Sequence, residues 1–433
     1  MGARPRSPSS ALAALLALSA CALALSERPP AKTRQQGSNG GKPDVLIHIA
    51  NSHWLGDEYF QDRYSFVARQ GRTSKNLSCV FTETADTAAT ADAIWCAERE
   101  EQRAPGRDRW QPLATHTRPC PSQPPPRYQL ATGPQTGPFG SKYKPRADQI
   151  GVEFTLESYP MQECQFGRHM LQPSVRNNFD VKMSYRKDAD VWVPYYLNVF
   201  KDYWEAHPPL PFTKKKDAIV GMHSNCAGTC IPLTEQTARF LSKHTLEELE
   251  EPSIGRDDML TGLMEAVDLP FHFYGKCLSN RPHVPRDMKP PTHFADRNKL
   301  AMFKRYKFCA TFENSVDDDY VSEKVFLGLM AGCLPIYFGA PNIDEYIPSP
   351  DAVVDAAKFK SRDDLARFIH HLADNETAYE ERMAWRRQGP AAWSPAFAKL
   401  VAYVGDEAGY HQPNVRLCKR VHEIQEQRRL QQV

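Results

Sequence analysis

At 433 residues the chain has room for two domains and flanking segments, and a hydrophobic fraction of 41% suits a globular body with a sizeable core. The 54 Lys and Arg against 52 Asp and Glu leave a net charge of +2 with the signs mixed, which excludes a nucleic-acid binder driven by one strongly basic face. The 11 cysteines are scattered; Cys226 and Cys230 lie four apart, but no second Cys or His pair completes a zinc site.

In chain order, Arg4 and Arg6 precede an apolar run, residues 11–25, followed by Glu27 and Arg28. Fifteen residues fit the core of a signal peptide and fall short of the roughly 20 that usually span a bilayer. Small residues near 22–26 permit cleavage, and a thin early-secretory membrane leaves an uncleaved anchor open. Residues 1–26 are therefore expected to be a signal peptide or signal anchor. Either sends the chain into a lumen where disulfides form. Golgi residence as a single-pass type II membrane protein is the expectation, with membrane contact through this segment if it is uncleaved. Two sequons, at Asn76 and Asn375, agree with that compartment.

Residues 27–43 are polar and aperiodic and read as a flexible stem. An N-terminal domain is expected over 44–207. Its strands are read at "DVLIHIA" (44–50), "ADAIWCA" (91–97) and "IGVEFTLES" (150–158), with two more around the polar turn of "NFDVKMSYRKDADVWVPYY" (178–196). Between them, residues 105–145 hold ten prolines and read as a surface insertion.

A second domain is expected over 208–400, where strand and helix alternate. Strands are read at 218–225, "FHFYGKC" (271–277), "KFCATFEN" (307–314) and "LPIYFG" (334–339). Helices are read at 255–267, 297–306, 319–333 and 362–375, the third closing at Gly332. Such alternation implies an open parallel sheet, α/β in class, with ligands at the carboxyl ends of its strands and often on helix N-termini. Residues 401–433 read as a tail.

One stretch, "ATFENSVDDDYVSEKVF" (310–326), sits where that rule puts a ligand. Its acids Asp317, Asp318 and Asp319 suit either a metal-held pyrophosphate or the mouth of a helix, with Asp319 as N-cap. Lys324 then lies where a phosphate binds. No glycine-rich nucleotide fingerprint is present, so the residues alone reach no further than an anion site.

The run from 305 to 348, "RYKFCATFENSVDDDYVSEKVFLGLMAGCLPIYFGAPNIDEYIP", resembles the signature region of the α1,3-fucosyltransferases: Tyr-Lys-Phe, Phe-Glu-Asn, an acid-rich loop, then Tyr-Val-Thr-Glu-Lys, with Ser322 here for the Thr. Upstream, "FTLESYP" (154–160), "SYRKDAD" (184–190), "HSNC" (223–226) and "FYGKC" (273–277) resemble further family segments, the nearest flavour being the plant-type core enzymes. The resemblance implies a GT-B architecture, two facing Rossmann-like domains with an inter-domain cleft. It implies inverting transfer of fucose from GDP-β-L-fucose to a GlcNAc hydroxyl of a glycoprotein glycan in α1,3 linkage. It also implies no required metal, with non-essential manganese stimulation left open; the acid trio then becomes loop and helix cap. No nucleic acid enters this reading.

By the same resemblance Glu157 is the general base, and Arg256, Asn314, Tyr320, Glu323 and Lys324 bind the donor. The chemistry suits the residue types: in-line displacement needs a base for the acceptor proton and cations for the leaving diphosphate. Arg239 competes with Arg256. Arg256 has the family's spacing to "FYGKC", which makes residues 230–254 an insertion carrying an extra helix. The insertions, and a tail whose one cysteine is Cys418, depart from the family pattern. They leave the acceptor open between a core GlcNAc, an outer lactosamine and a protein hydroxyl, and an inactive fucosyltransferase-like binding protein stands as the rival class.

Overall fold

A computed structural model describes residues 45–49, 79–82, 91–97, 148–166, 179–195, 200, 208–223, 226, 230–241, 253–281, 295–404 and 413–432. The N-terminal apolar run, the stem, Asn76, the proline-rich insertion and residues 242–252 lie outside the described residues. Among the described residues no helix is long and apolar enough to cross a membrane.

The first sheet contains β1 (Val45–Ile49), β2 (Cys79–Thr82), β3 (Ala93–Ala97), β4 (Ile150–Thr155), β5 (Val181–Ser184) and β6 (Val191–Trp192), in the order β2-β1-β3-β4-β5-β6. Every neighbouring pair is parallel. Two of its elements had no counterpart in the sequence reading: β2, and helix α1 (Tyr159–Phe166), which follows Glu157 directly.

The second sheet is formed by β7 (Lys216–His223), β10 (Phe271–Gly275), β11 (Tyr306–Phe312), β12 (Leu334–Phe338) and β13 (Val354–Asp355), in the order β10-β7-β11-β12-β13 and again all parallel. Two short strands, β8 (Ile231–Pro232) and β9 (Ser253–Ile254), pair antiparallel beside it. Helices α2 (Arg256–Ala266), α3 (Ala295–Phe303), α4 (Glu323–Ala331) and α5 (Arg362–Asp374) cover its faces. Ile219 of β7 packs into one apolar cluster with α2 and α5, whereas its neighbours Ala218 and Val220 pack into the other with α3 and α4. Burial on both faces is why β11 and β12 are apolar runs without alternation. β7 lies between β10 and β11, so the winding reverses at its carboxyl end, the place where open α/β sheets bind ligands.

Three expectations change. The helix read from residue 319 begins at Glu323, because Ser322 is its N-cap and Asp319 sits in the left-handed region at φ 66°, where a helix cannot start. Gly332 closes it at φ 70°; a Cβ there would lie 2.5 Å from Pro209. The extra helix of the insertion is, among the described residues, the short segment Glu235–Ala238, capped by Thr234. The tail is a structural part of the first sheet. Its helix α6 (Pro413–Leu430) buries Leu417, Cys418, Val421 and Ile424 against Val45, Ile47, Val181 and Met183, and Cys418 is disulfide-bonded to Cys79.

Candidate active site

The carboxyl ends of β7 and β11, with the N-termini of α2 and α4, line a narrow cleft open to solvent. Its polar lining is His223, Arg256, Lys299 and Lys324; Leu260 and Phe312 are among its apolar walls. The two helices bring their first turns to this opening, so the partial positive charge of each terminus adds to the side-chain cations.

Arg256 is the first residue of α2 and only 2% exposed. Burial pulls its pKa below the usual range, against the opposing pull of Asp257 and Glu313, yet a guanidinium stays charged. Asp257 Oδ1 accepts from His223 Nε2 at 2.8 Å. Burial lowers the His223 pKa despite that carboxylate, so the imidazole is neutral near pH 7. Arg239, the competing arginine, follows the short helix Glu235–Ala238, is 38% exposed and pairs with Glu235 at 2.6 Å.

Lys324 is the second residue of α4. Its Nζ donates to Ser322 Oγ at 2.8 Å and to Glu313 Oε2 at 3.1 Å, and lies 3.6 Å from Glu323 Oε1. Burial alone would lower its pKa; Glu313 and Glu323 outweigh burial and hold it above the ordinary lysine value. Glu323 also lies 3.9 Å from Lys299 Nζ.

Glu157 lies two residues past β4. Its backbone is fixed by Thr155 Oγ1, which accepts from its N–H at 3.2 Å, and by Gln162 Nε2, which donates to its carbonyl at 3.1 Å. Its carboxylate faces the second sheet's loop: Oε1 accepts from Tyr320 OH at 2.8 Å, Asn314 Nδ2 at 3.2 Å and Ser158 N at 3.0 Å. Among the described residues every hydrogen bond to this carboxylate falls on Oε1, which leaves Oε2 to receive a proton. Burial and the adjacent carboxylate push the Tyr320 hydroxyl well above its usual pKa, so it remains a donor.

The six residues singled out from the sequence thus fall into two groups. Arg256, Glu323 and Lys324 gather around the cleft; Asn314 and Tyr320, read as donor ligands, hold Glu157. The acid trio does not converge. Asp317 accepts from Tyr185 OH and from Arg186 Nη1 at 3.1 Å, Asp318 is exposed, and Asp319 accepts from Lys187 N, Asn342 Nδ2 and Tyr346 OH at 2.8–2.9 Å. These bonds fasten the loop to the turn after β5 and to the segment after β12. Burial would raise the Asp319 pKa, but its three donors hold it below the usual carboxylate range. The sequence reading missed Glu313, His223, Asp257 and Lys299. Glu313 and His223 stood inside quoted motifs, "FEN" and "HSNC", as unassigned letters.

Two parallel doubly wound sheets, with a cationic cleft at the carboxyl ends of the second, define a GT-B type α/β protein. Residues 235–433 match the model described as glycosyltransferase family 10 (fucosyltransferase) C-term. The chain is 35% identical over 141 residues to "GDP-fucose protein O-fucosyltransferase 3" of Xenopus laevis, covering 32% of this chain and 29% of that protein. It is 36% identical over 144 residues to "Alpha-(1,4)-fucosyltransferase" of Arabidopsis thaliana, covering 31% and 35%. The chain spans about a third of the length of these curated relatives. Among solved structures it is similar to an alpha1,3-fucosyltransferase with GDP-fucose, at 15% identity and a TM-score of 0.43, covering 82% of this chain and 85% of that one.

Proposed function

We propose that the chain is an inverting fucosyltransferase that moves L-fucose from GDP-β-L-fucose to a hydroxyl of a glycoprotein in the secretory pathway, with the Golgi as its site. The observation that carries this reading is the meeting of Arg256 and Lys324 at one cleft, while Glu157 is bound to the loop that leads into α4. The acceptor hydroxyl gives its proton to Glu157 Oε2. Its oxygen bonds to the fucose anomeric carbon from the face opposite the diphosphate, and the bond from that carbon to the phosphate oxygen breaks. Arg256, Lys324 and the α4 N-terminus take up the charge of the departing GDP. Glu323 and Lys299 complete the polar rim for the nucleotide.

The signature read from the sequence favours a GlcNAc hydroxyl and an α1,3 linkage. The name of the Xenopus relative favours a second reading, in which a protein hydroxyl receives the fucose. Transfer from a panel of GDP-sugars and UDP-sugars to GlcNAc-bearing glycans and to folded hydroxyl-bearing domains tests both. Product with GDP-fucose is expected, and the acceptor that is labelled decides the linkage class. Use of another nucleotide sugar with none from GDP-fucose would overturn the reading. The disulfides Cys79–Cys418 and Cys226–Cys277 suit a lumenal protein.

Arg256→Ala is expected to weaken GDP binding tenfold or more, as the loss of a charge-assisted hydrogen bond worth about 1.5–3 kcal/mol does. Arg239→Ala should bind as wild type. Titration calorimetry with GDP checks both, and the reverse order would move the diphosphate clamp to Arg239.

Metal-independent transfer belongs to this reading, because Asp317 and Asp319 are committed to donors from the turn after β5. Activity should persist in excess EDTA and in Asp318→Asn. Complete loss on chelation, restored by a divalent ion, would show that a metal carries the diphosphate.

A further inference from the structure

Glu313 is the last residue before the loop that follows β11, and it is wholly buried at 0% exposure. Its carboxylate accepts from Ser322 N at 2.8 Å, Ser322 Oγ at 2.7 Å and Lys324 Nζ at 3.1 Å. It therefore grips both the cap of α4 and the lysine one turn-fraction beyond it. Gly339 closes the other side: a Cβ there would lie 2.6 Å from Glu313 Cγ. A buried carboxylate without compensation is strongly disfavoured, and here the compensation is Lys324 together with the N-terminus of α4. Glu313 stands in the "FEN" of the signature without an assigned role, and the reaction scheme above does not use it.

We propose that Glu313 is a positioning residue for the donor site: it holds Lys324 charged and aimed at the cleft before the diphosphate arrives. The proposal rests on the donor reading given above. Glu313 is the carboxylate paired with Lys324, Oε2 to Nζ at 3.1 Å. It stays beneath the lysine when a phosphate approaches from the cleft side, so the lysine needs no reordering on binding. The charged and titratable groups facing Lys324 are Glu313 from the end of β11, Glu323 on its own helix, Arg256 of α2 and His223 of β7, with Lys299 reaching it through Glu323. Tyr320 and Tyr337 face Glu313 as un-ionised phenols. Of these groups only Glu313 and Glu323 favour the charged lysine, and Glu313 is the one in hydrogen-bond contact with it.

Glu313→Gln replaces the Oε2 acceptor with an NH₂ that opposes the ammonium of Lys324. GDP affinity measured by calorimetry at neutral pH is expected to fall about tenfold. In a Lys324→Met background the same change should have little further effect, because residues acting through one contact are not additive. A second readout follows the apo protein: the pH at which Lys324 becomes reactive to an acylating reagent, read by mass spectrometry, should move to lower pH in Glu313→Gln. Should that variant fail to fold, Glu313→Asp, which withdraws the carboxylate by one methylene, is expected to shift both readouts in the same direction. A folded Glu313→Gln protein with wild-type GDP affinity, or an effect that adds in full to that of Lys324→Met, would overturn the proposal. A wild-type protein that binds no GDP sinks the donor reading instead, and the Lys324 reactivity profile still decides the role of Glu313.

Discussion

Glu157→Gln is expected to lower the rate of fucosyl transfer by about 10²–10⁴-fold, the usual contribution of a general base, while GDP affinity stays at the wild-type level. The change isolates one function of the side chain. Glutamine keeps an Oε1 that accepts from Tyr320, Asn314 and Ser158 N, so the bonds that tie the end of β4 to the opposite loop survive. What is lost is Oε2, the oxygen with room for a proton. The diphosphate contacts belong to Arg256 and Lys324, so equilibrium GDP binding is expected to be blind to the substitution. Tyr320→Phe is the natural companion, since it removes the shortest bond to Glu157 and leaves the base in place. Single-turnover rates with saturating GDP-fucose, alongside calorimetry, separate the two effects. A folded Glu157→Gln protein that transfers fucose at the wild-type rate would show that another group takes the proton.

Much of the second sheet was legible because its signals are local. The apolar runs of β11 and β12 and Gly332 after α4 each declare themselves within a few residues. The start of α4 was misread for the same reason. An aspartate before an apolar helix is a good cap by local rules, but Asn342, Tyr346 and Lys187, brought from elsewhere in the chain, take Asp319 away. The pairing of Asn314 and Tyr320 with Glu157 spans 157 and 163 residues of sequence and leaves no local trace. Glu313 was hidden differently. Its partners are only 9 and 11 residues away, yet a glutamate at a strand end reads as solvated until the fold buries it. Arg256 and Arg239 could be ranked from spacing, and the structure separates them by placement: one inside the cleft, the other on an exposed helix end.

Ending the chain at residue 412 is expected to abolish cooperative folding of the first sheet, and transfer activity with it. Leu417 and Val421 are fully buried against that sheet and Ile424 is 8% exposed. Burying each such side chain stabilises by roughly 1.5–3 kcal/mol, so the three together match much of the roughly 5–15 kcal/mol that holds a typical domain folded. Cys418 adds a covalent link to Cys79, at the other end of the chain. Polar ties follow the same helix: Arg416 donates to Tyr403 OH at 2.7 Å, and Arg428 Nη1 donates to the carbonyl of Asp148 at 3.0 Å. Cys418→Ser in the full-length chain separates the cross-link from the packing. Loss of a native disulfide costs about 2–5 kcal/mol, so this variant should melt at a lower temperature yet still fold and turn over. The truncated chain should instead show no cooperative melt for β1 to β6 and should be cut there by protease. Without β4 in place Glu157 has no fixed position, which links the far end of the chain to the proton-transfer step. A truncated protein that melts as the full-length chain does would mean that the first sheet holds its core without α6.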